Sequence, residues 1–280
     1  MGQYGSYDRL RALGPTAQAM SGISDMSGLP EPYAPAGIGY SYLDWFGAYQ
    51  MANAMIAALY RKRATGQGCW IDSSQVDCGL YLTGTAILDH SVNGRSWARY
   101  GNRSPYLPAA PHGVYRAAGD DRWIAIGAFD QEQWVAIVRV LGTNEWASDP
   151  KLLTLDSRLA NQDYLDALMD EATAEREPFE LMEELQRAGV PAGVCQTAQD
   201  RYERDPQLKH LNWLVELNQQ EIGRWPVKEI AVQFSETPPY IGGQVDRSGP
   251  SYAEDNSYVY GTLLGFSEEE IAQLAAEGVL

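Results

Sequence analysis

A mixed α/β fold is what this sequence predicts, on three observations. Helix-period and strand-like segments alternate between residues 45 and 77, a strand pair flanks a tight turn near residue 119, and helical periodicity returns after that turn. Residues up to about 40 are rich in Gly, Pro and Ser, and GLPEPYAPAGIGYS (28–41) reads as an irregular loop. The first regular element is WFGAYQMANAMIAALYRKR (45–63). No Pro interrupts it, Met51, Met55, Ala58 and Leu59 recur at helical spacing, and the terminal basic triplet suits a helix C-terminus. Asp44 falls at its N-cap position. TGQG (65–68) stops that helix, CWIDS (69–73) reads as a short buried strand, and Ser74 with Asp77 forms a capping box for the next helix.

From residue 100 the pattern changes. YGNRSPYLPAAPHG is a long loop with three prolines, and GVYRA and RWIAIGA then flank the turn AGDD as a β-hairpin. Asp130 and Gln133 cap QEQWVAIVRVLG, in which Trp134, Ile137, Val138 and Leu141 share one face before Gly142 ends the helix. More helix is expected over about 161–188, AGVPAGV (188–194) marks a turn, and residues 205–255 have strand-and-loop character. Ser267 with Glu270 opens a final helix. No internal repeat or low-complexity tract is present.

Composition narrows the function classes. With 21 Lys and Arg against 37 Asp and Glu, the formal charge is −16. A general nucleic-acid binder is thereby excluded, because such proteins cluster cations on phosphates, and a polyanionic ligand requires a local basic pocket. Cys69, Cys78 and Cys195 make an odd set with no C-x-x-C spacing, so neither a disulfide framework nor a zinc site is expected. They are expected in the core of a protein kept in a reducing cytoplasm. The start MGQYGSYDRL has no basic region followed by an apolar stretch, and no window approaches the ~18 apolar residues of a membrane span, so no membrane partner is expected. His90, His112 and His210 lie far apart, which gives no metal-ligand spacing. There is no G-x-S-x-G elbow and no G-x-x-x-x-G-K-[ST] loop, and the glycines at 2, 5, 37 and 39 lack the Rossmann spacing.

Asp44 then has two readings. It caps a helix, or it uses the same place, facing backbone N–H donors and the positive end of the helix dipole, to attack an activated acyl group as a carboxylate. Position alone does not choose between them.

The wider sequence bears on that choice. GPTAQAMSGISDMSG (14–28), Asp44, MIAALYRKRATGQGCWIDSSQVD (55–77), RYGNRSP (99–105), APHGVYRAAGDDRWIAIG (110–127), LQRAGVPAGVC (185–195), RDPQL (204–208) and LLGFSEEEIAQL (263–274) stand in order across nearly the whole chain. In sequence and spacing these blocks resemble the family III CoA-transferases of CaiB/BaiF type, relatives of the formyl-CoA:oxalate and carnitine enzymes. GP-x-x-QA, APHGVYR and DDRWIAI are most similar to the benzylsuccinate-type subgroup. The resemblance implies a large Rossmann-like α/β domain with a small α+β domain, in a dimer of interlocked chains. Residues 1–100 would be the second half of the large domain, 101–205 the small domain and 206–280 the return to the large one. Relatives carry a further N-terminal stretch ahead of the first block, so the fold is expected to be incomplete: a fragment, a split subunit or a miscalled start. A partner chain would then supply the missing half, and the exposed apolar face would favour association.

Chemistry follows from the same resemblance. The family's nucleophile lies fifteen residues ahead of the Leu of the A-A-L helix, which selects Asp44 ahead of Leu59. It would carry CoA from an acyl-CoA thioester to a free carboxylic acid through aspartyl anhydride and aspartyl-CoA intermediates, with CoA as substrate and no metal or redox cofactor. Gly101, Asn102 and Arg103 begin the stretch matching a glycine-rich substrate loop. Pro and Ala in place of the glycine run point away from an oxalate-like acceptor and toward a larger or more apolar acid. Tyr106 and Leu107 either line its pocket or decorate a rigid surface loop. Arg11 sits where relatives place a CoA-contacting cation, or is a solvated surface residue. Arg61, Lys62 and Arg63, about 25 Å along a helix from Asp44, belong to helix-end electrostatics. An α-methylacyl-CoA racemase of this family would need a His ahead of Asp44, and the first His is His90. A non-catalytic subunit is the remaining alternative.

Overall fold

The computed structural model describes residues 1–37, 39–228, 230–239, 241 and 249–280. It divides into two compact units, 1–195 and 196–280.

The first unit begins with helices α1 (Gly14–Met20), α2 (Ile23–Met26), α3 (Tyr42–Thr65), α4 (Gln75–Leu82) and α5 (Gly84–Asn93). Strands β1 (His112–Arg116) and β2 (Trp123–Gly127) form the hairpin expected around AGDD. Helices α6 (Gln131–Leu141), α7 (Leu155–Ala160), α8 (Gln162–Thr173) and α9 (Pro178–Arg187) follow, and β3 (Ala192–Val194) closes the unit. β1–β2–β3 is an antiparallel sheet with Tyr115 opposite Ile124 and Ile124 opposite Val194. Period-2 alternation therefore turns Tyr115, Ile124 and Ile126 to one face. There they meet Trp134 and Ile137 of α6, Leu165 and Met169 of α8, and Leu181 and Leu185 of α9, in one buried cluster. Asp130 caps α6 by accepting the Gln133 N–H (2.8 Å), while Gln133 Oε1 reaches one residue further back, to the N–H of Phe129 (2.7 Å).

The second unit contains α10 (Ala198–Glu203), α11 (Pro206–His210), an antiparallel pair β4 (Leu214–Gln219) and β5 (Gly223–Lys228), a π-turn at Ser257–Leu263, and α12 (Glu268–Ala276). Ser267 and Glu270 form the expected capping box on α12. The fold class is thus mixed α/β. Among the described residues every strand pair is antiparallel, and those of 1–100 contribute helices and no strand. No described helix is long and apolar enough to cross a membrane.

Four expectations are corrected. CWIDS (69–73) is not a strand: among the described residues no strand pairs with it, and Trp70 is 77% exposed. An extended segment without a partner has no ladder to complete. Asp44 is not the N-cap of α3, because the helix starts at Tyr42 with Ser41 as cap. Leu43 is completely buried against Ala17 and Ile23, and that burial draws one more turn into the helix. Cys69 and Cys195 are exposed and Cys78 half-buried, so the cysteines are not core residues. The segment 188–194 is a turn only at its start, because Ala192–Val194 pairs with β2 as β3.

Candidate active site

Asp44 owes its position to close packing around the start of α3. Gln18, buried on α1, donates its amide to the Tyr40 carbonyl (2.8 Å) and fixes the approach to the helix. A Cβ on Gly14 would lie 2.3 Å from Ser41 Oγ, and one on Gly79 of α4 would lie 2.4 Å from Ser21 Cβ and 3.0 Å from Leu43 Cδ1. At both positions the side chains of Ser41, or of Ser21 and Leu43, already fill the space that a Cβ would need. The Thr83 hydroxyl, at the end of α4, donates to the Ser21 carbonyl (3.3 Å). With Leu43 anchored inside this junction, the next residue, Asp44, projects to solvent from the first turn of a 24-residue helix.

Across from it, Gln75 occupies the first position of α4, after the Ser74 cap. Its Nε2 donates to Asp44 Oδ1 at 2.7 Å. A Cβ on Gly47, one turn along α3, would come 3.2 Å from Gln75 Cγ, so Gly47 leaves the slot through which the amide reaches the carboxylate. No cation pairs with Asp44 among the described residues. Aromatic rings flank it: Tyr40 stacks on Trp45 at 5.8 Å and Tyr42 on Phe46 at 6.2 Å. A cleft of about 510 Å³ opens nearby, lined by Phe46, Gln50, Asp72, Ser74, Asp77 and Tyr81 among others. Its two carboxylates make it a poor place for phosphates.

The other expected site residues lie elsewhere. Arg11 is exposed and makes no hydrogen bond or ion pair among the described residues, three positions before Gly14. Gly101, Asn102 and Arg103 do come together, on a cleft of about 430 Å³ with Tyr115, Asp163 and Asp166. Arg103 is committed there to Asp163 (2.5 Å) and Asp166 (2.9 Å), and Asp166 also accepts the Tyr115 hydroxyl proton (2.9 Å). Burial, with Asp166 next to it, pushes the Tyr115 phenol far above its usual range.

The loop is braced rather than loose. His112 Nδ1 donates to the Asn102 carbonyl (2.5 Å), Ser104 Oγ accepts the N–H groups of Tyr106 (3.3 Å) and Leu107 (2.9 Å), and the buried Arg158 donates Nε to the Ala110 carbonyl (2.8 Å). Tyr106 and Leu107 stand out into solvent at the tip. No hydrogen bond or ion pair among the described residues joins this loop to Asp44. Arg61 donates to the carbonyls of Gln67 and Gly68, in keeping with a helix-end role for the basic triplet. Among the described residues no group of His, Cys, Asp and Glu is placed to hold a metal.

Gln75, Gln18, His112, Asp166 and Arg158 were not singled out from sequence. Each acts across 10 or more positions, so no local pattern marks it.

Comparison with known proteins bears on these arrangements. The sequence profile of CoA-transferase family III matches residues 1–256. The chain is 29% identical over 279 residues to succinyl-CoA–D-citramalate CoA-transferase of Chloroflexus aurantiacus, covering all of this chain and 67% of that protein. It is 33% identical over 192 residues to acetyl-CoA:oxalate CoA-transferase of Acetobacter aceti, covering 69% of this chain and 48% of that one. Its fold superposes on the crystal structure of a CaiB/BaiF family protein from Brucella suis with a TM-score of 0.81 at 27% identity, over 94% of this chain and 66% of the other. The chain therefore spans between about half and two thirds of these proteins' lengths.

Proposed function

The chain belongs to CoA-transferase family III, and on that premise we propose that it moves CoA from an acyl-CoA thioester to a free carboxylic acid, with Asp44 as the nucleophile. The observation that carries this reading is a solvent-facing carboxylate on the first turn of α3, held by one neutral amide and paired with no cation among the described residues. Such a group keeps a lone pair available for attack.

Asp44 Oδ2 adds to the thioester carbonyl carbon, the C–S bond breaks, and CoA leaves as thiolate with a mixed anhydride left behind. The thiolate then adds to Asp44 Cγ and expels the donor's acid, giving an aspartyl-CoA thioester. The acceptor carboxylate attacks Cγ and expels the thiolate. Finally the thiolate attacks the acceptor's acyl carbon and releases Asp44 as a carboxylate. Each step exchanges one acyl bond for another of similar energy, so no metal or redox step enters.

The D-citramalate relative supports an acceptor acid larger than oxalate, in keeping with the Pro and Ala that replace a glycine run after Arg103. Residues 1–100 supply the nucleophile and 101–205 the substrate loop, with Gly101, Asn102 and Arg103 at its base and Arg11 as a CoA phosphate contact. Tyr49, Met55, Ile56, Leu59 and Tyr60 on α3, with Tyr81, Leu88 and Val92 on α4 and α5, are exposed. We therefore expect work in association, as a homodimer or with a partner chain.

Intact-mass measurement after incubation with succinyl-CoA, with and without hydroxylamine, tests the proposal. A hydroxylamine-sensitive adduct on the wild-type chain that is absent from Asp44→Ala is the expected result. An adduct that persists in Asp44→Ala refutes the assignment of the nucleophile, and no adduct at all refutes chemistry by this chain.

A further inference from the structure

We propose that Gln75 is a working part of the Asp44 site: it fixes which carboxylate oxygen stays behind, and it donates to the oxyanion that forms on that oxygen. This rests on the reading of Asp44 as nucleophile. The geometry is specific. Gln75 Nε2 lies 2.7 Å from Asp44 Oδ1, the Gln75 backbone is held at the start of α4 where Ser74 accepts the Asp77 N–H, and the bare flank of Gly47 leaves room for the side chain.

The partner's chemistry matters as much as its distance. A guanidinium or ammonium in this place would neutralise the carboxylate and stabilise the state from which it attacks. A neutral amide orients the group and leaves its charge. Across the steps Oδ2 takes the donor's acyl group and leaves Cγ with it, an acceptor oxygen fills the vacated position, and Oδ1 stays on Cγ throughout. When the thiolate adds to Cγ of the anhydride, the Cγ–Oδ1 π pair moves onto Oδ1, and it returns as the donor's acid departs with Oδ2. The same pair moves out and back when the acceptor carboxylate adds and the thiolate leaves. After release, Asp44 holds its original Oδ1 and one oxygen from the acceptor. A donor already seated on Oδ1 follows it from carboxylate to carbonyl to oxyanion without moving.

Rotation about Cβ–Cγ would exchange the two oxygens, and the bond to Gln75 opposes it. The experiment supplies succinyl-CoA with excess succinate carrying heavy oxygen in its carboxylates, and weighs the Asp44 peptide after many turnovers. The wild-type chain should reach a plateau of one heavy oxygen. Gln75→Met, which keeps the volume and removes the donor, should go on to two and turn over about a hundredfold more slowly. Gln75→Glu, which puts an acceptor against an acceptor, should be at least as slow, with both variants keeping the wild-type circular dichroism spectrum. Two heavy oxygens in the wild-type chain, or one in Gln75→Met at the wild-type rate, overturns the role of Gln75 and leaves Asp44 as nucleophile. No label on Asp44 in the wild-type chain removes the nucleophile, and this role for Gln75 with it.

Discussion

Replacing Arg158 by Met should destabilise the chain by about 3 kcal/mol, even though it removes a buried charge. Arg158 is completely buried. It donates Nε to the Ala110 carbonyl (2.8 Å) and Nη1 to Gln131 Oε1 (3.0 Å) and the Leu152 carbonyl (3.1 Å), and its guanidinium lies 4.8 Å over the Trp134 ring. Among the described residues no carboxylate neutralises it and Nη2 has no hydrogen-bond partner. Burial pulls its pKa below the ordinary value to about 10, which at neutral pH amounts to about 3 kcal/mol spent on holding the charge. Met relieves that cost. It also strands two main-chain carbonyls and one amide oxygen, at about 1–3 kcal/mol each, and loses about 1 kcal/mol of cation–π attraction, so that the losses reach about 6 kcal/mol. Urea unfolding followed by the fluorescence of Trp134 and Trp146, which stack at 6.0 Å beside this group, measures the difference. A change below about 1 kcal/mol, or a gain in stability, would show that desolvation outweighs the three acceptors and would refute the reasoning.

Gly79→Ala places a methyl 2.4 Å from Ser21 Cβ and 3.0 Å from Leu43 Cδ1. It should cost about 1–3 kcal/mol and displace the start of α3, read as loss of the hydroxylamine-sensitive adduct together with a lowered urea midpoint. Asp205 caps α11, and the Leu208 N–H and the Gln196 amide that donate to it hold its carboxyl below the usual range. Its contribution of about 1 kcal/mol is therefore complete above pH about 4, and it fades as pH falls through the lowered folded value. The Leu208 amide proton should titrate in that acid window in the wild-type chain and stay flat in Asp205→Ala. Size-exclusion chromatography should find the chain larger than a 31.0 kDa monomer, because of the apolar residues exposed on α3–α5; a monodisperse monomer contradicts this.

What was legible in the sequence was local. The caps at Asp130 and Ser267 and the turn AGDD each depend on residues within four positions, and all three form where expected. α1 was hidden because GPTAQAM starts with the two residues that most often signal a loop. Its helix is held by Ala17, which packs on Leu43 in a different part of the chain. β3 was hidden for a related reason. AGV is too short to show alternation, and it becomes a strand only because β2 offers Ile124, Ala125 and Ile126 as partners. The start of α3 moved because burial of Leu43 outweighed the capping preference of Asp44. Asp44 itself was found through its block's resemblance to a family. Its contact with Gln75 spans 31 positions, and neither residue carries a mark of the other.

Apolar burial is unevenly shared along the chain. Between Ala110 and Val190 it joins the sheet to α6, α8 and α9, whereas among the described residues of 196–280 Leu217 is the only buried large apolar side chain. Amides of β1 and β2 should accordingly exchange their hydrogens only through global opening, and those of β4 and β5 through far cheaper local excursions. A thermal melt of this chain thus reports the 110–190 core. A substitution in 196–280 can loosen its own unit and pass unseen through a screen based on a single midpoint.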